Sequence, residues 1–229
     1  MKTPIIYVIL YYLTVTIEGF AGGVGIYRYK KLSKPLRYLV WLLTFWFLMS
    51  IIEFLVDKLL HIHNIWLLHY VTFIETIFTM AIFYQWRTSK INGLLYIVST
   101  ILFLIIWVIG KFTIETMEFG DNFTVSISYI LIISFIVYLM LHIMREDNIS
   151  LTNDARFWVA SGFCIYFSGT FLLFALFNFM LSIPREIMQK IFVLNWLFTI
   201  ISDAFFVRSF FCKPINAGII HQSQSIANL

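Results

Sequence analysis

The sequence predicts an all-α fold, a polytopic membrane bundle of seven transmembrane helices with the N-terminus outside and the C-terminus cytoplasmic. Three observations predict it. Of 229 residues, 61% are apolar and only 12% charged, against about a quarter charged in soluble domains. Seven apolar stretches are each long enough, at about 20 residues, to cross roughly 30 Å of hydrocarbon. The polar residues collect in the breaks between them, and the basic ones fall unequally on alternate sides.

The spans run roughly 4–26, 37–60, 64–86, 93–111, 123–144, 157–181 and 187–211. The breaks read YRYKKLSKPLR, HIHN, RTSKING, KFTIETMEFGDN, REDNISLTNDAR and SIPREIMQK. Pro4, Pro35, Pro184 and Pro214 all lie at span edges, so each helix is expected to run unbroken. Residues 1–212 form the transmembrane domain and 213–229 a short cytoplasmic tail. Eleven of the 16 Lys and Arg residues fall on the side that holds the Arg28–Arg37 loop and the tail. Positive loops resist translocation, which puts that side in the cytoplasm. The opening MKTPIIYVILYYLTVTIEGFAGG has the layout of a signal peptide. Cleavage after it would leave the basic 28–37 loop outside, so it is read as a retained first helix.

Polar side chains are costly in hydrocarbon, about 2.5–3.5 kcal/mol for a mid-span charge on the insertion scale, and therefore mark inward faces. On the first helix Tyr7, Tyr11, Thr14 and Glu18 form one stripe, continued by Gly22 and Gly25. On the second, Trp46, Ser50, Glu53 and Asp57 repeat that spacing, and His61 extends it by a turn. Thr72, Glu75 and Thr79 share a face of the third, with His69 about 120° away. Ser161, Cys164, Ser168, Ala175 and Asn178 mark the sixth, and Asn195, Thr199, Ser202 and Asp203 the seventh. The fourth has no such stripe and is expected to face lipid. A binding, proton or cation core of Glu18, Glu53, Glu75, Asp203, Asn195 and Asn178 follows. Glu53 and Asp57 are placed in the outer third, Glu75 near mid-depth, and Glu18 approaching Asp203 in the inner third. The alternative for any one of these groups is neutral hydrogen-bonded glue between helices.

The stretch EFLVDKLLHIHNIWLLH sets Asp57, His61, His63 and His69 where they can converge at the outer rim. Imidazole and carboxylate ligate zinc or copper, so a divalent metal site is one reading. A pH-responsive cluster and a plain polar turn are the others.

Several chemistries lack their residues. A retinal protein needs a last-helix lysine, and Val207 stands one turn after Asp203. Seven-helix zinc hydrolases of the ceramidase type carry histidines in the final helix, and the final span here has none. No P-loop, GxGxxG, GxSxG or HExxH occurs. The two cysteines, Cys164 and Cys212, offer no disulfide framework. The net charge of +4 is spread between spans and builds no nucleic-acid surface.

The stretches NIWLLHYVTFIET and FWVASGFCIYFSGTFLLFALFNFM resemble the third and sixth spans of uncharacterised seven-helix membrane proteins of Bacteroidota, some similar to membrane modules of sensor proteins. The resemblance covers about a third of the chain and implies a bacterial cytoplasmic membrane. It assigns no activity and transfers no functional residue. The first functional expectation is a sensor or receptor-like protein with a buried acidic core. The tail is too short for an output domain, so signalling passes to a cytoplasmic protein partner. A proton- or cation-coupled transporter is the alternative, and an intramembrane lipid-modifying enzyme comes after both.

Overall fold

The computed structural model describes residues 5–56, 65–87, 90–115, 117, 120–146, 150–180 and 182–212. Within them every regular element is a helix. The long ones are α1 (Ile5–Arg28), α2 (Lys34–Leu55), α3 (Ile65–Gln85), α4 (Lys90–Thr113), α5 (Asn122–Met144) and α6 (Ala155–Ala175). A four-residue α7 (Phe177–Met180) and then α8 (Arg185–Ser209) follow. The seven long helices are each long and apolar enough to cross a membrane, which is the architecture of a multi-pass membrane protein. They match the seven expected spans in order, with edges shifted by a few residues.

Helices α1, α2, α3, α5, α6 and α8 close into a ring through successive contacts, and α8 returns to α1. Because α3 and α5 also touch, α4 sits outside the ring in the notch between them. Its Leu94, Leu95, Ile101, Leu102, Ile105 and Ile109 are all exposed, as expected for a lipid-facing helix. Its inner seam is carried by Gly93, Tyr96, Phe103 and Gly110.

Glycines set the tightest approaches. A Cβ on Gly162 of α6 would meet the Phe206 ring of α8 at 2.6 Å, and one on Gly25 of α1 would meet Val40 Cγ2 of α2 at 2.6 Å. Both glycines admit side chains of the facing helix where any other residue would hold the helices apart.

At the face where α8 ends, charges tie the helices. Arg156 of α6 forks onto Glu146 after α5 (Nη2 to Oε2, 2.7 Å) and onto Asp154 (2.8 Å). Asp154 also caps α6 by accepting from Arg156 N at 2.8 Å. Arg28 Nε donates to the Phe210 carbonyl at 2.9 Å, joining the ends of α1 and α8.

One expectation fails. The sixth span was expected to run unbroken to residue 181, but α6 stops at Ala175 and α7 begins at Phe177. No proline stands at the break, and a side chain takes up one of its carbonyls. Asn122 Nδ2 donates to the Ala175 carbonyl at 3.1 Å. Asn178 exchanges two hydrogen bonds with the Gly120 backbone, at 2.9 and 3.3 Å. Asn122 thereby satisfies a carbonyl at the interruption, while Asn178 ties α7 to the backbone of the segment before α5.

Candidate functional site

The inward stripes of α1, α3 and α8 line the inside of the ring, and one carboxyl from each, Glu18, Glu75 and Asp203, meets the others in one layer. Thr14, Glu18, Gly22 and Gly25 are buried on α1; His69, Thr72, Glu75, Thr76 and Thr79 on α3; Thr199, Ser202 and Asp203 on α8. Glu18 Oε2 accepts a 2.8 Å hydrogen bond from Ser50 of α2, with Glu53 in electrostatic reach. The Trp46 ring of α2 stacks at 4.9 Å on Tyr166 of α6 and lies 6.3 Å from Phe206 of α8. The indole of Trp46 also adjoins the Glu75 carboxyl, yet its Nε1 misses hydrogen-bond geometry.

Tyr166 is the hub of this layer. Glu75, Glu18 and Asp203, from three different helices, all act on it electrostatically, and its hydroxyl interacts with that of Tyr129 on α5. Six helices therefore contribute to one polar layer walled by Phe163, Phe167 and Phe206, each fully buried. Its carboxyls are incompletely satisfied. Both oxygens of Asp203 and Oε1 of Glu75 are buried without a hydrogen-bond partner, as is Oδ1 of Asn195. A buried carboxyl lacking donors is stabilised by taking a proton or holding a cation. Glu18 and Asp203 face the same tyrosine, and Asp203 lies in the field of Glu18. They share no hydrogen bond, since Asp203 has none.

A second polar cluster closes the bundle at the face where α1 begins, between α3, α4 and α5. Lys111 Nζ bonds Glu115 Oε2 at 2.9 Å and Thr124 Oγ1 at 2.8 Å, and lies 5.7 Å from the Trp107 ring centroid. Glu115 accepts from the backbone N–H of Phe123 and of Thr124, so a carboxylate beyond the end of α4 caps the start of α5. Asp121 accepts a 2.5 Å hydrogen bond from Thr72 Oγ1. Burial pushes the Asp121 carboxyl above its ordinary range, against the opposing pull of Thr72, His69 and Lys111. One turn deeper on α3, Thr76 and Ser128 share a 2.5 Å hydrogen bond.

Of the expected core residues, Glu18, Glu75 and Asp203 come together around Tyr166, Glu53 flanks Glu18, and Asn195 lies about two turns nearer the start of α8. Asn178 stands apart, beyond the end of α6, where it holds the Gly120 backbone. His69 is fully buried in α3 within reach of Asp121. Asp57, His61 and His63, the other members of the expected metal site, lie outside the described residues. Among the described residues no group of three His, Cys, Asp or Glu could hold a metal ion. The stripe reading passed over Tyr129 and Tyr166, whose rings counted as apolar mass. It also passed over Lys111, Glu115 and Asp121, which belong to what reads as a hydrophilic break between spans. Compared with protein-family models, with curated proteins and with solved structures, the chain finds no match.

Proposed function

We propose that this chain is a sensor or receptor-like protein of a bacterial cytoplasmic membrane, N-terminus outside and C-terminus inside. Its core takes up a proton or a monovalent cation and passes the change to a cytoplasmic protein partner. The observation that carries this reading is the convergence of Glu18, Glu75 and Asp203 on Tyr166, with three carboxyl oxygens unpartnered. A proton or cation arriving there changes the charge felt by six helices at once. The seam between α6 and α8 offers a route outwards, because Phe206 against Gly162 and Phe198 against Gly169 couple the two helices along their length. At its end Arg208 of α8 donates to the Thr152 carbonyl before α6 at 3.2 Å. The basic 28–37 loop, on the same side, supplies a charged surface for a partner.

The same carboxyls suit a proton- or cation-coupled transporter, and the two readings differ in whether the ion crosses. Trp46, between Glu75 and Tyr166, is a built-in reporter. Its fluorescence, isolated by difference from a Trp46→Phe variant, is expected to shift when the nanodisc-embedded protein is titrated from pH 8 to pH 5 in NaCl or KCl. The shift disappears in Glu75→Gln and Asp203→Asn. Proteoliposomes loaded with a pH-sensitive dye are expected to show no proton flux under a gradient. A Trp46 signal flat to pH and to both salts removes the core as the site, while flux through wild type that Glu75→Gln abolishes assigns it to a transporter.

A further inference from the structure

We infer that the cleft between α3 and α4 is a binding site for one anionic phospholipid, its acyl chain in an apolar groove and its phosphate on Arg87 and Lys90. The groove is independent of the carboxyl layer. It has a volume of about 230 Å³ and lies between Ile77, Met80, Ala81 and Tyr84 of α3 and Tyr96 and Ile101 of α4. Met80 and Tyr96 are almost fully buried and form its floor, while Ile101 is half exposed on its open side. The small side chain of Ala81 leaves the width. From Tyr84 to Ile77 the groove follows α3 for about 10 Å at 1.5 Å per residue, a run that suits part of an acyl chain rather than a compact polar ligand.

The charge at its mouth specifies the headgroup. Tyr84 lines the groove and also carries the Arg87 guanidinium on its ring, 4.1 Å from the centroid. Arg87 Nη1 donates to the Tyr84 carbonyl at 3.0 Å, and the arginine stem lies so close to Gly93 of α4 that a Cβ there would meet Cδ at 2.6 Å. The guanidinium is thus positioned by both helices that form the groove. Lys90 is exposed at the start of α4, three residues on in the chain. Between Glu75 and Glu115 the chain has no acidic residue, and Glu146, at the same end of α5, is engaged by Arg156. Arg87 and Lys90 are two basic side chains at the end of the groove with no acid bonded to either among the described residues, at the end of α3 where the lipid phosphates of one leaflet would lie. Two such cations at a membrane surface are worth about 1 kcal/mol each, which corresponds to about a thirty-fold preference for an anionic over a zwitterionic lipid.

The test is native mass spectrometry of the detergent-purified protein titrated with dioleoyl phosphatidylglycerol and, separately, dioleoyl phosphatidylcholine. Wild type is expected to retain one phosphatidylglycerol about thirty-fold more tightly than phosphatidylcholine. The Arg87→Gln/Lys90→Gln double variant should bring the two lipids within about two-fold, while Lys190→Gln at the opposite face keeps the preference. Ala81→Phe, which fills the groove, should weaken both lipids together, and Ala81→Ile should do so less. sn-Glycerol 1-phosphate, a headgroup without chains, should not compete. Equal retention of both lipids by wild type, an unchanged preference in the double variant, or competition by glycerol phosphate as effective as that of the whole lipid would each overturn the assignment. The last of these would leave a free-phosphate site without a chain groove.

Discussion

At Asp121 a carboxyl only 3% exposed stands before the first turn of α5, bonded to Thr72 and in the field of His69, Lys111 and Glu115. Burial is the largest influence on it and raises it above its ordinary value of 3.8. A raised acid binds its proton more tightly folded than unfolded, so its contribution to stability is complete below the unfolded value and lost as pH rises through the folded one. Thermal stability of the detergent-solubilised protein is therefore expected to fall over part of the range above pH 4. Asp121→Asn keeps an acceptor for Thr72 and removes the titration, and is expected to flatten that part of the profile. A variant profile parallel to wild type would show that Asp121 does not titrate there. The legibility of these residues divides along the same physical line. Glu18, Glu75 and Asp203 could be read because a carboxylate inside a helical apolar run has one affordable face. Asp121 and Glu115 could not, because they lie in a break that reads as hydrophilic, and only the fold turns that break inward over Thr72 and Thr124.

Between elements, the α6–α8 seam rests on rings seated against glycines. Phe206 is fully buried and packs on Gly162, Phe163 and Trp46, so it has no free side into which to retreat. Gly162→Ala is expected to cost about 1–3 kcal/mol, the usual range for overpacking a filled core. Gly162→Ala/Phe206→Leu should recover part of that loss, because the smaller side chain vacates the space the new methyl enters. Reversible unfolding of both variants and of Phe206→Leu gives the coupling energy, and purely additive costs would show that the glycine matters for some other reason. Gly162 and Gly169 lie off the polar stripe that marked the sixth span, so the seam became legible only once α8 was packed against α6, and the end of α6 was not legible either. No proline marks it, and the bonds that hold the break come from Asn122 and Asn178, whose partners lie 53 and 58 residues away.

For the molecule as a whole, span length and polar breaks were enough to yield seven helices in order, since hydrocarbon thickness constrains each helix independently of its neighbours. The packing of α3 on α5, with α4 outside, was less legible, because it depends on which faces fit rather than on how apolar they are. Direction across the membrane rests on a different force. The face with the Arg28–Arg37 loop also holds Arg87, Lys90, Arg145, Arg156 and Arg208, and the proposed orientation rests on the tendency of such a face to stay on the cytoplasmic side. Thr152, before α6, and Ser182, before α8, are exposed and lie at opposite ends of the bundle. In a background with Cys164 and Cys212 replaced by serine, Ser182→Cys is expected to react with a membrane-impermeant maleimide on intact bacterial cells. Thr152→Cys should react only after permeabilisation, and the reverse pattern would invert the bundle. In that case the basic 28–37 loop would face away from any cytoplasmic partner, and the groove between α3 and α4 would meet its lipid in the outer leaflet.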